Sequence, residues 1–259
     1  KGYELGISDG TAAGTELLKE IYPGSSSGNC YYPQLYKGKV YFQGYDSSGS
    51  ALWVTDGTAA GTTKITAVGD YNDPVVAGGK LFFSADNGVQ GVELWTFDPA
   101  TGHVSLVRDI MYGAASAHPE EITAVQQRVF FRAESLSKGV ELWVSNGTRA
   151  GTRLVRDFVE GPGSSGPRQL VRYQNLLLFS ARSEIDGNPP EPYEIWWTDG
   201  ILYGVGSSRI YEPKEIAVHG ERFYCSGNGP NEGVEPFVGW FDTSSGELRT
   251  LLMGDLLTA

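Results

Sequence analysis

Apolar residues along this chain fall in short runs that alternate with polar ones, and each run stops at a cluster of Gly, Asp, Ser or Pro. Residues 33–68 show the pattern. Gln34–Tyr36, Lys39–Gln43, Ala51–Thr55 and Thr63–Ala67 are rich in β-branched and aromatic side chains, which suit a pleated, half-buried surface. Each is predicted as a strand bounded by turn residues. No stretch sustains the 3.6-residue period of an amphipathic helix. The pattern predicts an all-β fold.

The four-strand pattern also repeats. Ala51-Leu52-Trp53-Val54-Thr55-Asp56-Gly57-Thr58-Ala59-Ala60-Gly61-Thr62 returns as Glu141-Leu142-Trp143-Val144-Ser145-Asn146-Gly147-Thr148-Arg149-Ala150-Gly151-Thr152. A further copy runs from Glu4 to Thr15, with Gly6 in the place of Trp, and shorter copies begin at Glu93, Glu194 and Glu235. A second motif keeps the same beat: Val40-Tyr41-Phe42, Leu81-Phe82-Phe83, Val129-Phe130-Phe131, Leu177-Leu178-Phe179 and Phe223-Tyr224-Cys225. A proline stands before each of these, at Pro33, Pro74, Pro119, Pro167 and Pro213, where an inner strand is expected to begin. Four short strands recurring roughly every 40–50 residues are the mark of propeller blades. Full units are expected over 33–68, 74–110, 119–158, 167–211 and 213–252, with a half-unit over 3–21. The fold expected is a β-propeller of five complete four-stranded blades plus an N-terminal half-blade, six-bladed if the half is completed. One domain is expected over 1–259.

At Leu52-Trp53-Val54-Thr55-Asp56-Gly57-Thr58 and its copies the chain resembles the ELWxxDGT-repeat family of bacterial-type surface and secreted proteins. The resemblance implies an extracellular, β-propeller-like repeat protein and carries no particular reaction with it.

Charge narrows the partners. Lys plus Arg is 20 against 31 Asp plus Glu, a net charge of −11, which disfavours nucleic acid and anionic membrane surfaces. No apolar run reaches the roughly 18 residues of a membrane span. The chain opens at Lys1 with no signal-peptide pattern, as a mature chain or a fragment would. Two cysteines, Cys30 and Cys225, make neither a disulfide framework nor a zinc cluster, and whether they bridge is left open.

The repeats also frame the candidate residues. Trp53, Trp95, Trp143 and Trp196 recur at one position; they read as packing between sheets, or as sugar-stacking platforms if exposed. Asp9, Asp56, Asp98, Asp199, Asp242 and Asn146 read as turn residues rather than calcium ligands, one acid per turn being too few. Asn146-Gly147-Thr148 is a glycosylation sequon. Gly24-Ser25-Ser26-Ser27-Gly28 has the nucleophile-elbow spacing but lies in a linker, and His103, His118 and His219 fall at unrelated repeat positions. Glu120, Glu121 and Glu215 lie near the starts of inner strands without forming an evident catalytic pair. The least repetitive stretch, Arg182–Tyr193, offers Glu184, Asp186 and Asn188 as an interaction loop. Tyr3, Leu5, Leu17 and Ile21 form a candidate assembly edge, because the half-blade lacks inner strands. The function expected is a non-catalytic extracellular scaffold, structural or adhesive, that binds proteins or copies of itself. A multivalent lectin is the alternative and a propeller glycoside hydrolase a third reading. No cofactor is expected.

Overall fold

The structure, a computed structural model, describes residues 2–66, 69–184, 192–201, 203–205, 210–228 and 233–253. Among these residues every regular element is a strand, and the chain divides into two compact units, Lys1–His118 and Pro119–Ala259.

The first unit holds a two-stranded sheet, β1 (Leu5–Ile7) and β2 (Glu16–Lys19), and two four-stranded antiparallel sheets. One is β3 (Tyr31–Tyr36), β4 (Lys39–Asp46), β5 (Gly49–Thr55) and β6 (Thr63–Thr66); the other is β7 (Gly69–Ala77), β8 (Lys80–Asp86), β9 (Val92–Asp98) and β10 (His103–Arg108). The second unit holds three such sheets. They are β11 (Glu120–Val125), β12 (Arg128–Ser135), β13 (Gly139–Ser145), β14 (Arg153–Leu154); β15 (Arg168–Tyr173), β16 (Leu176–Ala181), β17 (Glu194–Thr198), β18 (Tyr203–Val205); and β19 (Tyr211–His219), β20 (Arg222–Asn228), β21 (Val234–Asp242), β22 (Glu247–Leu252). In each the strands pair in sequence order, so every link is a hairpin, the connection that antiparallel neighbours allow. Both half-unit strands fall within the expected 3–21, and the second stops at Lys19, short of Ile21.

Cores lie between neighbouring sheets. Phe179 and Ala181 pack toward Val125, Phe130 and Leu142, whereas Leu178 on the same strand packs toward Phe223, Phe237 and Leu248. A strand buried on both faces reads as a continuous apolar run, which accounts for Leu176-Leu177-Leu178-Phe179. In the first unit Trp95 sits with Tyr41, Leu52 and Phe83, and Trp53 with Ile21, Phe42 and Ala51.

The Asp-Gly-Thr turns form one hydrogen-bonded device, repeated. Asp56 Oδ1 accepts from Thr58 N at 2.9 Å and from Thr58 Oγ1 at 2.7 Å; Thr58 Oγ1 in turn accepts from Gly61 N, and Thr62 Oγ1 donates to Thr58 O. Asp9 and Asn146 repeat this with Thr11 and Thr148. The second glycine of the motif is explained by close approach: a Cβ on Gly61, Gly14 or Gly151 would collide with the Asp56, Asp9 or Asn146 side chain.

The prolines do not all precede their strands. Pro33, Pro74 and Pro213 lie inside β3, β7 and β19, each where the pairing register shifts. At a bulge the strand loses a ladder bond anyway, so a missing N–H costs little there. The bulges place Tyr32, Glu121, Gln169 and Glu215 at φ of 52, 53, 56 and 53°, a left-handed conformation that side-chain-bearing residues seldom adopt.

The motif glutamate is a clamp on the linker that follows its sheet. The Glu141 carboxylate accepts from Ser165 N at 3.0 Å, Ser165 Oγ at 2.6 Å and Phe158 N at 3.4 Å. Glu4 accepts from Ile21 N and Gly28 N, and Glu93 from Met111 N. Ser27, Ser116 and Ser164 hydroxyls then accept from Tyr3 N, Val92 N and Val140 N. The Ser/Gly linker that imitates a nucleophile elbow thus serves to cap the strand edge beside it.

Candidate functional site

The repeat is broken most strongly between β16 and β17, where residues 182–193 connect two strands that elsewhere are joined by as little as Ser47-Ser48. Of the three candidates there, Glu184 is tied back to the preceding linker: its N–H donates to Phe158 O at 2.8 Å and its Oε2 accepts from Glu160 N at 3.1 Å. Asp186 and Asn188 lie outside the described residues.

The two ends of this connection meet β15 and β19 in a cationic cluster. Arg168 lies with its Cζ 3.5 Å from the centre of the Tyr193 ring, and Arg182 with its Cζ at 5.4 Å. Glu212 holds the arrangement from the next sheet. Its Oε2 accepts from Arg168 Nη2 at 2.9 Å, its Oε1 from Tyr193 N at 3.4 Å, and its own N–H donates to Tyr193 O at 2.8 Å. Arg182 Nη2 donates to Ser164 O at 3.2 Å. Gly166 leaves the room that the Tyr193 hydroxyl needs, since a Cβ there would stand 2.7 Å from it.

The same register positions are filled differently on the sheet before. There Glu120 faces Arg132 across the strand pair and the two neutralise each other in an ion pair. On β15–β16 the pair is Arg168 and Ser180, so Arg168 faces a hydroxyl and not an acid across the strands. Arg168 finds its acid instead on the next sheet, in Glu212.

Buried carboxyls elsewhere do not make a reactive centre. Burial pushes Glu93 and Glu141 up to about 7, the range of a general acid or base. Both are fully enclosed; Glu141 takes linker N–H groups on both oxygens, and Glu93 takes Met111 N on Oε1 while its Oε2 has no partner. Hydrogen bonds from Thr11, Thr58 and Ser244 hold Asp9, Asp56 and Asp242 below the usual carboxylate range, as turn chemistry requires. Asp98 and Asp199 accept from Ala100 N and Ile201 N in the same way. Among the described residues no three His, Cys, Asp or Glu side chains gather to hold a metal, and no imidazole bonds a serine hydroxyl.

Trp53, Trp95, Trp143 and Trp196 are only 6–8 % exposed, which leaves no open ring face for a sugar. The assembly edge is only partly an edge. Tyr3 and Leu17 are 83 % and 44 % exposed, but Ile21, 3 % exposed, packs with half-buried Leu5 in the core around Trp53. Ile21 lies past the end of β2, where the Glu4 clamp draws the chain inward. Asn146, the sequon residue, is exposed but spends its Oδ1 within its own turn. Cys30 and Cys225 are free thiols, and burial raises them to about 11 and about 12.

A cleft of about 430 Å³ opens at the opposite end of β15, between Glu221, Arg222, Trp240 and Phe241. It exists because β21 is longer than its counterparts: Glu235 precedes its turn Asp242 by two more residues than Glu194 precedes Asp199. Its floor is the buried Tyr173, whose hydroxyl donates to Glu221 O at 2.6 Å and accepts from Phe241 N at 3.2 Å.

No family model and no curated protein matches the chain, so the ELWxxDGT resemblance stands on its own residues. Solved structures do match. Puromycin hydrolase superposes with a TM-score of 0.56 at 15 % identity, over 93 % of this chain and 40 % of its own. A mutant of puromycin hydrolase complexed with PGG superposes with a TM-score of 0.56 at 14 % identity, over the same shares. The β-propeller domain of the Trilobed protease from Pyrococcus furiosus aligns at 11 % identity and a TM-score of 0.47, over 81 % of this chain and 68 % of that one. This chain thus spans 40 % of the length of the hydrolase it matches. The fold is all-β and β-propeller-like.

These likenesses correct the expected function. The expected function is a non-catalytic scaffold, with a lectin as alternative and a propeller glycoside hydrolase as a third reading. The same fold is found over 93 % of the chain in part of a hydrolase. Repeats without a catalytic pair are therefore no mark of a non-catalytic protein, because the fold does not carry the chemistry.

Proposed function

We propose that this chain is the propeller portion of a hydrolase that cleaves amide bonds in peptide-like substrates. On this reading each four-stranded sheet is one blade, five in all, and β1–β2 is the outer half of another. The observation that carries the reading is the superposition on puromycin hydrolase across 93 % of the chain. The reacting groups lie outside the described residues, and the part assigned to this chain is to admit and hold substrate. Arg168, Tyr193 and Arg182 suit that part. They sit beside the connection that departs most from the repeat, and loops on a rigid scaffold are where binding concentrates. The test is to assay the full natural protein that contains this chain against a panel of chromogenic aminoacyl and peptidyl amides. Turnover of at least one amide is expected. No turnover of any amide by folded protein overturns the reading.

A further inference from the structure

We propose that Arg168, Tyr193 and Arg182 form a binding site for a carboxylate, the C-terminal carboxylate of a peptide. The assignment of a peptide rests on the function proposed above; the anion site rests on geometry alone.

Three polar atoms at this end of the β15–β16 pair lack partners. Arg168 Nε, Ser180 Oγ and Arg182 Nε are all buried and make no hydrogen bond, and the Ser180 side chain is fully enclosed. Arg168 and Ser180 face each other in the strand register, and Arg182 stands just past the end of β16, near the same Tyr193 ring as Arg168. Buried donors without partners are costly, and a cluster of them with like charge is more so. The sheet before shows how the repeat avoids this, by pairing Glu120 with Arg132. Here the acid is replaced by Arg168 and the base by Ser180, and Arg182 is added.

The chemistry of the ligand follows from the donors. Glu212 takes one Arg168 Nη, and the Ser164 carbonyl takes one Arg182 Nη, so each guanidinium keeps further N–H groups to give. Guanidinium forks are planar and match the two oxygens of a carboxylate. Tyr193 carries Arg168 against its ring and Arg182 within cation–π range, which keeps the two guanidinium groups near each other. Arg168 retains a side chain 35 % exposed, so the outer edge of the cluster is open to an incoming ligand.

The test is calorimetric titration of the full protein with N-acetyl-Ala-Ala, its C-terminal amide, acetate and inorganic phosphate. A hydrogen bond to a charged group contributes about 1.5–3 kcal/mol, or roughly ten- to a hundredfold in affinity. The acid is therefore expected to bind at least about tenfold more tightly than the amide. Arg182→Gln should abolish that preference and Arg182→Lys restore part of it, with thermal melts confirming that both variants fold. Equal binding of acid and amide by the unaltered protein overturns the site, whatever the variants do. An undiminished preference in Arg182→Gln overturns it too. Acetate binding as tightly as the acid removes the peptide and leaves a free-carboxylate site, and tighter phosphate binding removes the carboxylate assignment. Binding of the acid by a protein that hydrolyses no amide would keep the site and reject the hydrolase reading; the converse would do the reverse.

Discussion

The backbone N–H of Leu170 donates to the carboxylate of Glu121, forty-nine residues earlier, at 3.0 Å. Gln169 repeats the relationship, its Oε1 accepting from Ile216 N at 3.1 Å. Both acceptors are the left-handed bulge residues of β11 and β15, and both donors follow the bulge residue of the next inner strand. The bulge turns a side chain sideways, and that side chain staples one sheet to the next. The strain of a left-handed residue is thereby held in place by a bond that a regular strand could not make.

Removing a staple should leave an N–H unpaired in a mostly buried place. Glu121→Ala and Gln169→Ala are each expected to cost about 1–3 kcal/mol in denaturant unfolding. Glu215, the bulge residue of β19 next in line after Glu121 and Gln169, is exposed, and Glu215→Ala should stay within about 0.5 kcal/mol. Equal losses at all three positions would mean that the bulge conformation, and not the staple, is what matters.

Stability should fall as the pH rises from about 4.5 to about 7. Glu93 and Glu141 are raised to about 7 in the folded chain by burial, against an ordinary value of 4.5. The native state therefore holds more protons than the unfolded state across that window, and each group's contribution is full below it and lost above it. Below about 4 the sign reverses, because Asp46, Asp9 and Asp56 are held low by hydrogen bonds and their contribution is lost on protonation. Melting temperatures from pH 4.5 to 8 check this. The double variant Glu93→Gln with Glu141→Gln should flatten the slope.

The turns should be indifferent to metal and sensitive to one glycine. Chelator is expected to leave the melting temperature unchanged, since Asp56 and Asp9 are occupied by Thr58 and Thr11. Gly61→Ala should destabilise, because its Cβ would collide with the Asp56 carboxylate, whereas Asp56→Asn should be nearly neutral, as Asn146 makes the same bonds. A melting point lowered by several degrees with EDTA would instead point to a bound cation.

Trp143, 7 % exposed, fills space between strands that a smaller side chain cannot. Trp143→Ala should cost about 3–5 kcal/mol.

How much of this was legible depends on whether a residue repeats. Trp95 and Phe179 announce their sheets because the same side chains recur at the same beat and the packing between sheets recurs with them. The Asp56 turn was readable because its chemistry is local, confined to seven residues. The glutamate clamp was visible only as the first letter of the motif; its partner Ser165 lies twenty-four residues on, a spacing that Glu4 and Gly28 share and that could have been noticed. Ile21 misled because strand alternation was extended past the point where the Glu4 clamp bends the chain. The arginine cluster was signalled only in part, because Arg182 and Tyr193 bound the least repetitive stretch while the acids within it drew the attention. Arg168, Arg182, Tyr193 and Glu212 come from separate segments, at positions where the other repeats have nothing similar, and only the fold brings them together.

The most direct test of the account is the steady-state kinetics of the full protein on a peptide with a free C-terminal carboxylate, comparing the natural sequence with Arg182→Gln. A propeller that holds substrate while the reacting groups lie elsewhere predicts turnover by both, with KM raised by about tenfold in the variant and kcat little changed. Folded protein that hydrolyses no amide, or a variant with KM unaltered, would contradict it.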